Sequence, residues 1–132
     1  MKADSKKILI IDDDRTLLDG LSQLLARLDY PFVCADNGYS GLDLFLKGQF
    51  DIVLTDYDMP GMDGITLAHH IKEISPDTMV ILMTGHDKSS IIEQIETSKV
   101  DLALFKPFDL QEIMQILPQE QTQPEEKRLR PY

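Results

Sequence analysis

Residues 51–64, Asp51-Ile52-Val53-Leu54-Thr55-Asp56-Tyr57-Asp58-Met59-Pro60-Gly61-Met62-Asp63-Gly64, decide the fold. The apolar run Ile52-Val53-Leu54 is short, continuous and rich in β-branched residues, as a strand covered on both faces should be. Thr55-Asp56 ends it, and two turn signals follow, Pro60-Gly61 and Asp63-Gly64. A helical pattern of Leu67, Ala68, Ile71 and Ile74 then begins. The stretch is therefore one strand–loop–helix unit with a carboxylate at the strand's end.

The same unit recurs on either side. Upstream, Ile8 to Ile11 forms a strand, Asp12-Asp13-Asp14 follow, and Leu17, Leu18, Leu21, Leu24, Leu25 and Leu28 make the stripe of a first helix. Tyr30-Pro31 breaks that helix, and Phe32 to Ala35 is a second strand. Asn37-Gly38 marks a turn, and Leu42, Phe45 and Leu46 one face of a second helix. Downstream, Ser75-Pro76-Asp77 leads into a fourth strand, Met79 to Met83. A fourth helix runs from about Asp87 to Ser98, with a thin apolar face of Ile91, Ile92 and Ile95. Leu102 to Phe105 is the fifth strand. Asp109 and Glu112 have capping-box spacing before a last stripe of Leu110, Ile113, Met114 and Leu117, which Pro118 stops. Strict alternation with short connections predicts an α/β domain over residues 1–118, a doubly wound (βα)5 fold with a parallel sheet covered on both faces.

Residues 119–132 have a different composition: three Gln, two Pro, three Glu and three Lys or Arg. They read as a flexible C-terminal tail or linker stub, with Lys127-Arg128-Leu129-Arg130 as solvated charge. The tail is locally neutral, so the formal charge of −10 belongs to the domain. Such acidity argues against direct nucleic-acid binding, which leaves a basic footprint. No run approaches the ~18 apolar residues of a membrane span, and the N-terminus lacks a signal-peptide pattern. Cys34 has no second cysteine to pair with and reads as a buried strand hydrophobe, which suits a cytoplasmic protein. His69 and His70 fall opposite the third helix's apolar stripe and read as a solvated face, whereas His86 lies two residues past Thr84.

Ligands of open parallel sheets bind beyond the carboxyl ends of the strands. Four different strands end there in chemistry: Asp12, Asp13 and Asp14 after the first, Asp56 and Asp58 after the third, Thr84-Gly85 after the fourth, and Lys106-Pro107 after the fifth. Crowded carboxylates repel unless a cation or proton neutralises them. Aspartates without histidine or cysteine favour a hard ion, and Mg²⁺ takes one or two carboxylates together with a phosphate oxygen. A lysine and a hydroxyl aimed at the same spot suit phosphoryl oxygens, and aspartate is a covalent phosphoryl acceptor. The set reads as a phosphoryl-accepting site. Gly85 leaves room beside Thr84, although a turn alone would also account for it.

The stretches ILIIDDD, DIVLTDYDMPGMDG, ILMTGHD and LFKPF resemble, in order, the motifs of receiver domains of two-component response regulators. The resemblance covers about residues 7–117, and it implies a flavodoxin-like sheet of strand order 2-1-3-4-5. It also implies roles: Asp56 as phosphoacceptor, Asp13 as direct Mg²⁺ ligand, Asp12 acting through water, and Asp58 lending its backbone carbonyl. Thr84 and Lys106 would bind the phosphoryl group, across a cis Lys106–Pro107 bond, while Asp14 caps the first helix. The implied donor is a sensor histidine kinase or phosphotransfer protein, and the output a downstream protein target. The chain would be a monomer or weak dimer that catalyses only its own phosphorylation and dephosphorylation. Two positions depart from the family pattern. Ala103 stands where an aromatic precedes the lysine by three residues, and Lys99 replaces the glycine after the fourth helix. Two other readings compete. One is a phosphate-independent interaction module of the same fold. The other is a haloacid-dehalogenase-type phosphatase using Asp56 and Asp58, which would need its acidic pair later in the chain.

Overall fold

The computed structural model describes residues 6–117 and contains ten alternating elements. These are β1 (Ile8–Ile11), α1 (Arg15–Arg27), β2 (Phe32–Ala35), α2 (Gly38–Lys47), β3 (Ile52–Asp56), α3 (Gly64–Ile74), β4 (Met79–Thr84), α4 (Lys88–Glu96), β5 (Leu102–Phe105) and α5 (Leu110–Ile116). All strand pairs are parallel, in the order β2-β1-β3-β4-β5. The expected doubly wound sheet is therefore present. The tail at 119–132, the stop at Pro118 and the first five residues lie outside the described residues. No described helix is long and apolar enough to cross a membrane.

Strand position explains strand composition. β1 and β3 lie inside the sheet and are buried throughout, whereas β2 and β5 lie at its edges and are largely half-buried. Because side chains alternate across a strand, the sheet has a core on each face. Ile8, Ile10, Ile52, Leu54, Ile81 and Met83 pack with Leu18, Leu21, Leu24 and Leu25 of α1 and Ile113 of α5. Leu9, Ile11, Val53 and Val80 pack with Phe45 of α2 and Leu67, Ala68 and Ile71 of α3. A smaller cluster joins Leu82 to Ile91 and Ile95 of α4, with Tyr57, Ala103 and Phe105 at its margin.

Several stripe residues are not core. Leu46 is 59% exposed and Ile74 51%, and each lies at the C-terminal end of its helix. Leu110 and Met114 of α5 are also exposed, and that helix is anchored through Ile113 and Leu117. Cys34 is half-buried, on the edge strand, with its sulfur 3.3 Å from the Ser22 hydroxyl. His69 is exposed and lies 3.3 Å from Glu73, one helical turn on, whereas His70 is half-buried.

Side chains fix the helix starts. Asp14 accepts from the amides of Thr16 and Leu17, Asn37 from Ser40, and Asp63 from Thr66. Asp109 and Glu112 form the expected capping box. α3 begins so close to the end of β3 that a Cβ on Gly64 would collide with the backbone oxygen of Asp56. Glycine there lets the helix close onto the strand that carries the site.

Candidate phosphoryl site

Each site residue sits at or just beyond the carboxyl end of a strand, and parallel pairing brings those ends together. Asp12 follows β1, with its amide donating to the Ala35 carbonyl. Asp56 ends β3 opposite Met83, and Thr84 ends β4 opposite Phe105. The amide of Lys106 donates to the Thr84 carbonyl at 2.7 Å, so the lysine leaves β5 alongside the end of β4. The Lys106–Pro107 bond is cis, as expected.

Asp12, Asp13 and Asp56 each bring a carboxylate oxygen to within 4.8 Å of the others. Asp12 is fully buried and Asp56 is 5% exposed, whereas Asp13 faces solvent. The Lys106 ammonium donates to Asp56 Oδ1 at 3.0 Å and to Asp12 Oδ2 at 3.3 Å. Asp12 Oδ1 also accepts from the Asp14 amide at 2.8 Å. One cation thus faces two buried carboxylates, which leaves the cluster short of positive charge.

Burial dominates the acid–base balance. Loss of water raises the Asp56 carboxyl to about 6 from an ordinary 3.8; the Lys106 bond opposes the rise and the charge of Asp12 adds to it. Asp12 is raised too, chiefly by burial, against the pull of the Asp14 amide and Lys106. For Lys106, burial works against the charged amine, but the bond to Asp56 and the charge of Asp12 outweigh it and its pKa rises. Lysine therefore stays a cation, and the carboxylates gain from any further positive charge.

Thr84 is fully buried, and its hydroxyl oxygen accepts from the His86 amide at 3.0 Å. That leaves the hydroxyl proton free to donate. Gly85 has no positive φ, and a Cβ there would meet no atom within 4 Å. Neither crowding in this structure nor turn geometry demands glycine at that position.

One feature of the site was not legible in the sequence. The Asp58 side chain reaches the His86 imidazole, with Nε2 2.7 Å from Oδ2. The Tyr57 ring meets His86 edge-on, at 5.3 Å between centroids and 73° between planes. The available signal was register. Asp58 and His86 each lie two residues beyond the end of one of two adjacent parallel strands.

Comparison with known proteins agrees with this geometry. The sequence model described as "Response regulator receiver domain" matches residues 8–118. Sporulation initiation phosphotransferase F of Bacillus subtilis is 34% identical over 109 residues, covering 83% of this chain and 88% of the relative. Response regulator receiver protein CpdR of Brucella abortus is 32% identical over 109 residues, covering 83% and 91%. Among solved structures, the response regulator protein TrrA of Thermotoga maritima, in complex with Mg²⁺-BeF, superposes with a TM-score of 0.75 at 29% identity, covering 83% of this chain and 94% of its own. A receiver domain from Clostridium thermocellum gives 0.74 at 32% identity, covering 82% and 87%. With these matches, the sheet order and the acidic cluster in hand, the chain belongs to the response regulator receiver domain family and is a phosphorylation-dependent signalling switch.

Proposed function

We propose that Asp56 is the phosphoryl acceptor and that Mg²⁺ binds beside it, held by Asp13, Asp56 and the backbone carbonyl of Asp58, with Asp12 acting through water. The observation that carries this reading is the convergence of three carboxylates and one lysine, with the Lys106 ammonium already bonded to Asp56 Oδ1. The donor set fits a hard cation, since it is all oxygen, clustered and only partly neutralised by Lys106. When bound, Mg²⁺ supplies charge that the carboxylates and an incoming phosphoryl group both need.

The chain's own residues do the rest. The Asp56 carboxylate attacks phosphorus, a P–O bond forms, and the donor's bond to phosphorus breaks with its electron pair leaving on the donor. Lys106 can follow the charge onto a phosphoryl oxygen, and the free Thr84 proton can donate to another. The donor in this reading is a phosphohistidine on a sensor kinase or phosphotransfer protein. The relative named a phosphotransferase supports such a partner. Output goes to a downstream protein, and the domain changes its own state rather than turning over substrate.

Incubation with Mg²⁺ and a small phosphodonor tests the reading by intact mass. Wild type should gain one phosphoryl group and Asp56→Asn none. Label surviving in Asp56→Asn would move the acceptor, with Asp58 examined first. Wild type that stays unlabelled would favour the phosphate-independent module, and repeated hydrolysis of an external phosphoester would favour the phosphatase.

A further inference from the structure

The loop between β3 and α3 carries Asp58, and it is held unevenly. Met59 and Met62 are 8% exposed and pack in the core on the α2 and α3 side of the sheet. Asp58, Pro60 and Gly61 face solvent. His86 holds the Asp58 side chain from the β4 side. Gly61 has φ 86°, in the left-handed region that favours glycine. Glycine also has more backbone freedom to lose on ordering than any other residue, so the loop is softest there.

The start of α2 reaches this soft point. A Cβ on Gly61 would fall 2.7 Å from Cε2 of Tyr39, so the edge of that ring lies directly against the Gly61 backbone. One residue earlier, Gly38 stands so near Met62 that a Cβ there would come within 3.0 Å of its backbone oxygen. The helix is a firm support: Asn37 caps it through the Ser40 amide, and Phe45 roots it in the core. Tyr39 itself is 63% exposed, so its ring restrains the loop without filling the interior.

Mg²⁺ takes near-ideal octahedral geometry at short distances, whereas Ca²⁺ accepts more ligands in looser arrangements. A backbone carbonyl serves the smaller ion only if its loop stays in place, and conformers that the loop visits must be given up on binding. We propose that Tyr39 is a positioning residue for the metal, its ring holding the loop at Gly61 so that the site favours Mg²⁺ over Ca²⁺. The proposal rests on Mg²⁺ binding beside Asp56 with the Asp58 carbonyl as a ligand.

The test titrates Mg²⁺ alone and Ca²⁺ alone into the unphosphorylated full chain, with binding read from the amide NMR shifts of Asp13, Asp56 and Tyr57. Tyr39→Ala should raise the Kd for Mg²⁺ roughly three- to tenfold and that for Ca²⁺ less than about twofold. Tyr39→Phe should match wild type for both ions, because the ring edge and not the hydroxyl meets Gly61. In metal-free protein, Tyr39→Ala should speed amide exchange at residues 58–62 and leave the melting temperature close to that of wild type. Unchanged Mg²⁺ affinity in Tyr39→Ala, or an equal loss for both ions, overturns the proposal. A Tyr39→Phe variant as weak as Tyr39→Ala overturns the ring contact as its cause. Wild type that binds no Mg²⁺ would instead overturn the metal reading, and the role of Tyr39 with it.

Discussion

Asp56 carries its charge into a site that already holds Asp12, with only Lys106 to balance both. Its carboxyl is raised to about 6 from 3.8, so the folded domain binds more protons than the unfolded chain between those values. Stability must then fall as pH rises through that window, and stay flat in this group above it. Asp12 moves in the same direction. The raised Lys106 contributes stability that is lost only at alkaline pH, above its ordinary 10.5, so it does not touch this window. These groups therefore lower the melting temperature of metal-free wild type at neutrality relative to pH 4 to 5. Asp56→Asn keeps an oxygen for Lys106 but removes the charge. Its profile should be flatter, and it should be more stable than wild type at neutral pH by on the order of 1–3 kcal/mol. Calorimetry across pH checks this, and a mutant profile parallel to wild type would refute the sign. The acidic cluster, Thr84 and Lys106 were legible because each ends a strand, where chain order alone predicts convergence. The Asp58–His86 bond was not, because it depends on the rotamers of two exposed side chains 28 positions apart.

Among the elements, periodicity located every strand and helix but not the way each helix ends. α1 closes with Asp29 at φ 64°, its amide donating to Ala26 and the next amide, of Tyr30, to Leu25. This is the glycine-type helix end made with aspartate, one of the few other residues that tolerate it. Nothing in Leu28-Asp29-Tyr30 signals it beyond the break at Tyr30-Pro31. Asp29→Val should be less stable than Asp29→Gly by about 1–2 kcal/mol, since a β-branched side chain resists positive φ. Urea midpoints at unchanged slope decide this, and a valine variant as stable as the glycine variant would contradict it. α4 solves the same problem without a left-handed residue. Thr97 Oγ1 donates to the Glu93 carbonyl and Ser98 Oγ to that of Ile95, while Ser98 Oγ accepts from the Val100 amide. Hydroxyls thus replace the glycine whose absence at Lys99 was visible in the sequence. Leu46, Ile74, Leu110 and Met114 fit helical stripes yet stay exposed, because a stripe specifies a face and not what covers each position along it.

At the scale of the whole molecule, the proposed phosphorylation of Asp56 must alter a surface away from the site to act as a signal, and the route toward α4 is thinly built. Among the described residues only Leu82, Ile91 and Ile95 are buried there, with Tyr57, Ile65, Val100, Ala103 and Phe105 half-buried beside them. Ile95 is buried and Ile92 half-buried, so of the two only Ile92 offers surface to a partner. Ala103 has a methyl group where the receiver pattern has a ring, so it offers no ring to fill space that Thr84 would vacate on moving toward a phosphoryl group. A phosphoryl group shifts conformation only through contacts that differ between the two states. In the proposed site those contacts are polar, at Thr84 and Lys106, and the Tyr57 ring at the cluster's margin is already engaged with His86. The phosphorylation-dependent change at α4 should therefore be small in wild type. Ala103→Tyr should fold, because the position is half-buried on an edge strand, and the added ring gives the cluster a group whose packing depends on where Thr84 stands. Amide exchange across residues 87–103 should then differ more between unlabelled and phosphorylated Ala103→Tyr than between the same two states of wild type. A large difference already present in wild type, and not widened by the substitution, would mean that the signal reaches α4 without passing position 103.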